Sequence, residues 1–251
     1  MSSSSVGYAL LETKRQWRNR EALVFRLVLP TAVFLILTAV GAGEDTVDAP
    51  GLSSLPSGAA RMVALAALGA LMSGLAAGPA LGEERASGWL RQLRVTPLRP
   101  STAVTAKIVA AMTFALPSIA LVVAAAAITD GTTLSWPATV EVVGLMWVAT
   151  VPITALGTVI GLVFAAEAAQ GATTLAFLVL WLLGGIFTSP SNVPAVLARV
   201  AETLPSYGVV QVGWSAASGD AIPVSAVVLL AAWGAGGAML AGLAWRRIVR
   251  S

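Results

Sequence analysis

Residues 58–82 read GAARMVALAALGALMSGLAAGPALG, and the charged stretch EERASGWLRQLRVTPLRP follows them at residues 83–100. The first stretch carries only one charge, that of Arg61. An apolar run of about 20 residues is long enough to cross the roughly 30 Å hydrocarbon core of a bilayer as a helix. Residues 58–82 are therefore predicted to span a membrane, and the charged stretch is predicted to lie at its surface.

Five other apolar stretches have the same character, and each is bounded by charged or turn residues. The predicted spans are residues 22–42, 58–82, 104–128, 138–165, 171–188 and 223–245. The 251 residues are 57% hydrophobic and 11% charged, and the mean hydropathy is +0.85, whereas a soluble domain has about 25% charged residues. We expect an all-α membrane protein with six transmembrane helices in a single domain, residues 1–251.

The fourth predicted span and the connection before the sixth both have unusual features. Residues 138–165 would form a helix of about 42 Å at 1.5 Å per residue, so this helix must tilt, kink at Pro152 or begin among the lipid headgroups. We favour the last of these, which places Glu141 in the interface. The connection before the last span, residues 190–222, is moderately apolar and proline-containing, and is predicted to form short extracellular helices lying in the outer leaflet.

The distribution of basic residues predicts the orientation. With both termini in the cytoplasm, thirteen of the fifteen Lys and Arg residues lie on the inner side, and only Arg61 and Arg199 lie outside. Cytoplasmic connections carry such an excess of Lys and Arg. Thirteen Arg against two Lys also favours a GC-rich bacterial genome. The predicted location is a bacterial plasma membrane, with both termini cytoplasmic.

Several classes of chemistry are excluded by composition. The chain has no Cys and no His, so thiolate metal sites, haem ligation by His and Ser-His-Asp or Cys-His catalysis are excluded. It also lacks the G-x-x-x-x-G-K-[ST] phosphate-binding loop of ATPases, so no enzymatic activity is expected. No ionisable residue lies near the centre of a predicted span, because Arg26, Arg61, Lys107 and Glu141 are all within about two turns of an end. This distribution counts against a proton-coupled carrier or an ion channel.

The loop after the second predicted span has the pattern of an amphipathic helix, residues 83–96. Acids begin it, Arg residues end it and Pro97 stops it, which matches the helix macrodipole. Its apolar face is formed by Ala86, Trp89, Leu90 and Leu93. On this evidence alone the helix could simply lie at the interface with its apolar face in lipid.

The same loop resembles the cytoplasmic loop of ABC-2-type permeases, the membrane subunits of a class of ABC transporters. That pattern is approximately Glu-Arg-x-x-Gly-x-Leu-x-x-Leu-x-x-Thr-Pro-Leu. The matching residues are Glu84, Arg85, Gly88, Leu90, Leu93, Thr96, Pro97 and Leu98. Trp89 departs from the pattern, because the family often has Thr there.

The resemblance extends over the whole chain. Residues 10–20, LLETKRQWRNR, are similar to the family's N-terminal interfacial helix, and the GGIF and LPSY motifs at residues 184–187 and 204–207 are similar to its fifth span and extracellular helices. Among subfamilies the chain looks most like drug and antibiotic exporters of the daunorubicin-resistance type.

The resemblance implies a function and partners. The loop would be a coupling helix seated in a groove of a separate ATPase, and the functional unit would be two permeases with two ATPase subunits. The residues implied to contact the ATPase are Glu84, Arg85, Gly88, Trp89, Leu90 and Leu93. ATP and Mg²⁺ would be bound by the ATPase, so no cofactor is expected in this chain. The second permease would be another copy of the chain or a related one, and we take the homodimer as our prediction, with the lipid bilayer around it and no nucleic acid.

By the same resemblance the substrate path is lined by the first, second and fifth spans. The residues implied are Phe34, Met72, Phe177 and Trp181. Such a lining favours lipophilic or amphipathic cargo, a drug or antibiotic moved out of the cell, although core packing or lipid contact would also account for these side chains. The alternative functions are an ATP-independent transporter or channel, and a membrane scaffold or sensor subunit without transport.

Glycines repeat at four-residue spacing in two predicted spans. They are Gly74, Gly78 and Gly82 in the second and Gly157 and Gly161 in the fourth. Small residues at this spacing allow helices to approach closely. We expect this contact to be packing within one subunit, with the dimer contact on other helices.

Overall fold

The computed structural model of the chain describes residues 3–41, 46–48, 52–88, 100–129, 134–185 and 194–250. Most of these residues are helical, and the fold is all-α. The helices are α1 (Ser3–Trp17), α2 (Arg20–Leu23), α3 (Leu29–Ala39), α4 (Ser57–Leu75), α5 (Ala77–Ala86), α6 (Pro100–Thr129), α7 (Trp136–Ala149), α8 (Val151–Val163), α9 (Ala166–Leu183), α10 (Ala195–Ala201), α11 (Pro205–Ser218) and α12 (Val224–Arg250). A π-helical turn, Val24–Val28, joins α2 to α3, and two short strands, β1 (Thr46–Val47) and β2 (Leu55–Pro56), pair antiparallel.

Five helical stretches among the described residues are long and apolar enough to cross a membrane. They are Ser57–Ala86, Thr105–Thr129, Trp136–Val163, Ala166–Leu183 and Val224–Arg246, which we call the second to sixth spans in chain order. Val24–Ala39 is apolar but shorter, and we call it the first apolar segment. The all-α membrane fold is thus confirmed. The count of six spans stays a prediction, because the apolar helix found within residues 22–42, Val24–Ala39, is shorter than the five spans.

Two boundaries differ from those expected. The second span was predicted to end at Gly82, but helix α5 continues to Ala86, so the first residues assigned to the loop helix form the last turn of the span. A glycine inside an apolar helix does not stop it, whereas Gly88 has a φ of +75°, the left-handed conformation that ends helices. The fifth span was predicted to begin at Gly171, but α9 begins at Ala166, directly after extended backbone at Phe164 and Ala165.

Prolines interrupt two of the spans. Pro79 lies three residues after Ala76, where α4 gives way to α5, and Pro152 lies two residues after Thr150, where α7 gives way to α8. Proline has no N–H, so it leaves the carbonyl four residues earlier without its helical donor. The long fourth span is therefore interrupted near Pro152, and its start among the lipid headgroups stays a prediction.

A third proline determines how the first apolar segment packs. Pro30 cannot donate to the carbonyl of Arg26, and the hydroxyl of Ser118 in α6 donates to that carbonyl instead, at 2.6 Å. The contact is close because Gly69 of α4 lies against Ser118 and Pro30. A backbone acceptor that would otherwise be unpaired in the membrane thus joins the segment to the third span.

The repeated glycines bring the second and fourth spans into backbone contact. A Cβ atom on Gly157 would lie 2.8 Å from the carbonyl oxygen of Gly74 and 3.0 Å from the Cα atom of Leu75. A Cβ atom on Gly82 would lie 2.5 Å from that of Ala169 in the fifth span. The expected packing within one subunit is observed.

The connection before the sixth span differs from the expectation for residues 190–222. Helices α10 and α11 are present, but eleven of the fourteen residues of α11 are buried, so this helix packs into the bundle and does not lie on the outer leaflet. Small residues permit this, because a Cβ atom on Gly213 would lie 2.9 Å from Val63 of the second span. The indole of Trp214 donates to the carbonyl of Ser53 at 2.9 Å.

Asp220 closes this end of the molecule. Its carboxylate accepts from the backbone N–H of Ser53 at 2.7 Å and from the Ser53 hydroxyl at 3.0 Å, and from the hydroxyl of Ser218 at 2.8 Å. Hydrogen bonds to the charged form lower a carboxyl pKa, and the pKa of Asp220 lies below its ordinary value, chiefly through the Ser53 backbone N–H, then the Ser218 and Ser53 hydroxyls.

The glycine contact predicts that Gly157→Ala destabilises the protein. The added methyl group meets backbone atoms of the second span, which cannot move as a side chain would, so we expect a loss of about 1–3 kcal/mol in the free energy of unfolding. The control is Gly144→Ala in the same span, where a Cβ atom meets nothing within 4 Å. Unfolding in mixed micelles, followed by circular dichroism, measures both. Equal stabilities for the two variants would contradict the packing described.

Asp220 predicts a pH dependence. Because its pKa is lowered in the folded protein, the stability that its carboxylate contributes is present above the ordinary carboxyl pKa, about 4, and is lost as the pH falls through the lower folded value. The difference in unfolding midpoint between the wild type and Asp220→Asn should be constant from about pH 7 to 5 and shrink below about pH 4. Thr203→Ala, in the same connection, removes no titratable group and is the control, so its difference from the wild type should not depend on pH.

Candidate functional site

Three charged side chains are buried together where α1, α5 and α6 meet. The Nζ atom of Lys107 lies 2.8 Å from Oε1 and 2.7 Å from Oε2 of Glu84, and 3.1 Å from Oε1 of Glu12. None of the three side chains is more than 7% exposed. A buried charge is costly unless it is paired, so this Lys107 network holds the N-terminal helix, the end of the second span and the start of the third span together.

Arg15 connects the network to the surface. Its guanidinium Nη1 lies 2.9 Å from Oε1 of Glu84, and its side chain is 63% exposed. The four side chains of Glu12, Arg15, Glu84 and Lys107 carry two negative and two positive charges, so the cluster is neutral overall. Glu84 alone contacts both cations and is therefore its central member.

Arg85 makes a second connection at the same end of the bundle. Its Nη1 donates to the carbonyls of Leu162 at 2.6 Å and Val163 at 2.5 Å, the last residues of α8. A cation at the C-terminus of a helix satisfies free carbonyls and complements the helix dipole. Neighbouring residues Glu84 and Arg85 thus connect the end of the second span to the third span and the fourth.

The residues predicted to contact an ATPase are placed as follows. The side chains of Glu84 and Arg85 contact their own chain, and Gly88 ends the helix in the left-handed conformation. Trp89, Leu90 and Leu93 lie outside the described residues. The docking role of this loop stays a prediction, and the contacts of Glu84 and Arg85 fix where the loop begins.

Sequence reasoning missed the roles of Glu12 and Lys107. The sequence placed Lys107 only near the end of a predicted span, whereas in the structure the residue is 2% exposed and paired. The signal available in the sequence was the position of Lys107 about two turns into α6, together with Glu12 in the polar N-terminal helix. Which acid would pair with it depends on how α1 packs against α6, and no local pattern gives that packing.

A cleft of about 420 Å³ opens between the first apolar segment and the second and fifth spans. Its walls are formed by Asn19, Phe25, Arg26, Met72, Leu75, Ala76, Pro79, Ala80, Glu83, Gln170, Thr173, Thr174 and Phe177. Of the predicted path residues, Met72 and Phe177 line it. Trp181 stacks on Phe177 with ring centroids 6.0 Å apart, and Phe34 is fully buried in the core. The transport role of these four side chains stays a prediction.

The two ends of the cleft differ in polarity. Asn19, Glu83 and Gln170 line it near the Lys107 network, where the first segment and the fifth span begin and the second span ends. Met72 and Phe177 line it about two turns further into the bundle. The cleft therefore offers a polar end and an apolar end to one molecule. Among the described residues, no group of three or more His, Cys, Asp or Glu side chains could hold a metal ion.

Comparison with known proteins agrees with this architecture. The family model described as "ABC-2 type transporter" matches residues 10–215, which include the Lys107 network and every wall of the cleft. The chain is also similar to a Bacillus subtilis (strain 168) protein named "Putative transport permease YvfS", with 26% identity over 228 residues that make up 90% of each chain. The chain belongs to the ABC-2 type transporter family, as its loop motif predicted, and is a multi-pass membrane permease subunit.

The Lys107 network predicts a large effect of one substitution. Lys107→Met leaves two buried carboxylates without their common cation, and removal of one partner of a buried ion pair costs about 3–5 kcal/mol of stability. The triple variant Glu12→Gln, Glu84→Gln, Lys107→Met carries no charge at these positions and should recover most of the loss. Lys14→Met, at an exposed position of α1, is the control. Unfolding in mixed micelles measures all three, and a triple variant no more stable than Lys107→Met would contradict the pairing.

Proposed function

We propose that this chain is the membrane-spanning subunit of an ABC exporter, driven by ATP hydrolysis on a separate ATPase subunit. The observation that carries the proposal is the double anchorage of the loop's first residues, by Glu84 to Lys107 and by Arg85 to the end of α8. A loop held in this way transmits a displacement to several spans at once. Such transmission is what a permease without its own ATP site requires.

The contacts give a route from the loop to the cleft. A push on the loop reaches α5, which contacts the fourth span through Gly78 and Gly161 and the fifth span through Gly82 and Ala169. These are contacts between backbones and small groups, so little of the movement is absorbed by side-chain rearrangement. Helix α5 also supplies the cleft walls at Pro79, Ala80 and Glu83. Movement of α5 would therefore change the shape of the cleft.

The assembly would be two permeases, taken as two copies of this chain, with two ATPase subunits that bind ATP and Mg²⁺. The cleft opens between the first apolar segment and the fifth span, whose exposed side chains include Phe25, Val28, Leu175 and Leu178. A second permease on this face would enclose the cleft, and lipid would cover the same side chains in a single copy. Residues 22–42 would cross the membrane as the first span and bring the count to six. Helix α1 would lie in the inner interface, and both termini would be cytoplasmic in a bacterial plasma membrane.

The proposed cargo is lipophilic or amphipathic, in the class of drugs and antibiotics, and moves outward. The apolar end of the cleft, with Met72, Leu75 and Phe177, would contact the apolar part of such a molecule. The neighbouring amide and hydroxyl groups of the cleft would contact its polar part. Direction follows the family resemblance of the loop.

A proton-coupled carrier is the second candidate, because Glu12 and Glu84 are buried carboxylates. Both are paired with Lys107, and both lie at one end of the bundle and not along its middle, which favours a structural role. The two candidates differ in a measurable way. Uptake into inverted vesicles that requires ATP supports the exporter, whereas uptake that requires only a proton gradient supports the carrier. A stable complex with an ATPase but no transport would indicate a scaffold or sensor subunit.

The first experiment tests the loop directly. The chain is co-expressed with the phosphate-loop ATPase encoded beside it and purified in mild detergent. We expect the wild type to retain the ATPase and Leu90→Asp, Leu93→Asp to lose it, because charges replace the apolar anchors of the predicted docking face.

The matched control for this experiment is Ser87→Asp, Gln92→Asp, which adds the same two charges to the loop at positions other than its predicted apolar anchors. This variant should still retain the ATPase. If the wild type and both variants bound no ATPase while remaining monodisperse, the exporter proposal would lose its energy source.

A further inference from the structure

Arg26 is a cation within the apolar part of the chain that no acid neutralises. It lies in the π-helical turn of the first apolar segment, and its side chain is partly buried and lines the cleft. No carboxylate lies within ion-pairing distance of its guanidinium among the residues that the structure describes. Lys107, the other cation buried at this level, has two acids.

The protein compensates only part of the charge of Arg26. The guanidinium carbon lies 5.4 Å from the ring centroid of Phe114, within the range of a cation–π contact. That contact occupies one side of a planar group that carries five N–H donors. An ionisable residue in a membrane segment that lacks a protein partner marks a functional site, because the charge is otherwise costly.

The cleft supplies the space that a partner would need. Arg26 contributes to the same wall as Phe25, and Leu75, Met72 and Phe177 line the cleft with it. Glu83 also lines the cleft, but its side chain is exposed and forms no ion pair with Arg26 among the described residues. A molecule in the cleft would therefore meet an unpaired guanidinium beside an apolar surface.

We propose that this cleft binds an amphipathic anion, with its carboxylate, sulfonate or phosphate group paired to Arg26 and its apolar body against Met72 and Phe177. The proposal rests on the exporter function only in treating this molecule as cargo, since the binding itself requires no ATPase. Guanidinium groups pair with such oxyanions through two parallel hydrogen bonds. Arg26 thereby selects acidic over neutral amphipaths, which is a narrower substrate class than apolar walls alone would define.

The test uses two fluorescent probes with the same apolar body. 8-Anilinonaphthalene-1-sulfonate carries a sulfonate, and N-phenyl-1-naphthylamine is the same skeleton without it. The purified full-length chain in phosphatidylcholine nanodiscs is titrated with each probe, and the signal of empty nanodiscs is subtracted. Wild type should bind the sulfonate more tightly than the neutral probe.

Three variants locate the binding to the cleft. Arg26→Gln should weaken binding of the sulfonate by about tenfold or more, since a charge-assisted hydrogen-bonded pair is lost, and leave the neutral probe unchanged. Arg26→Lys keeps the charge and should retain part of the preference. Phe177→Ala should weaken both probes. Arg20→Gln, at an exposed position outside the cleft, is the control for nonspecific attraction and should change neither.

The outcomes separate this proposal from its rivals. Equal weakening of both probes by Arg26→Gln, or loss of the sulfonate preference in Arg20→Gln as well, would overturn the role of Arg26. If phosphatidylglycerol added to the nanodiscs competes with the sulfonate in the wild type but not in Arg26→Gln, the anion that occupies the site is a lipid headgroup; absence of competition indicates a soluble anion. Because no ATPase is present, this result is independent of whether the loop binds one.

Discussion

The pairing of Lys107 with Glu84 and Glu12 is the interaction on which the rest of the arrangement depends. It joins three elements at one point: the N-terminal helix, the end of the second span and the start of the third. A buried ammonium group needs acidic partners to offset the cost of its burial. Here one acid, Glu12, comes from α1, and the other, Glu84, comes from α5. The last turn of the second span is therefore fixed at this charged cluster, and the polar end of the cleft lies beside it.

Around that cluster the bundle is uneven in how firmly it is packed. In the most apolar 18 residues of the second span 78% is buried, whereas in those of the fifth and sixth spans only 17% is buried. The second span packs closely through glycines on both sides: Gly74 and Gly78 face the fourth span, and Gly69 faces Ser118 of the third span. The fifth span packs on this centre at Ala169 and again at Leu180, and much of its remaining surface is apolar and exposed. The cleft lies at the boundary between the tightly packed and the loosely packed parts.

The sequence predicted the elements well and their interactions unevenly. Apolar length can be read from the sequence alone, so long apolar helices occur where spans were predicted at residues 58–82 and 104–128. The orientation predicted from the excess of Arg stays a prediction. The glycine contact was also predictable, because four-residue spacing places small residues on one helix face. The burial of α11 was not predictable, since proline and polar residues in a connection are compatible with either a surface or a buried position. The resemblance assigned Glu84 and Arg85 to a partner surface and gave no sign of their contacts within the chain. Their partners, Lys107 and the carbonyls at the end of α8, come within reach only when the bundle folds.

The difference in burial between spans also bears on how this family diverges. A residue facing lipid has to be apolar and little else, so the sixth span can exchange Leu, Val, Ile, Met and Ala over generations without loss of function. Positions such as Gly157 and Gly74 have no such freedom, because any side chain there meets the backbone of the neighbouring helix. Two proteins of this fold can thus differ at most of their positions, as this chain and its Bacillus subtilis relative do at 26% identity. The physical constraint is strictest at a small set of contact positions that fix how the helices approach one another, and it is weakest where the solvent is hydrocarbon.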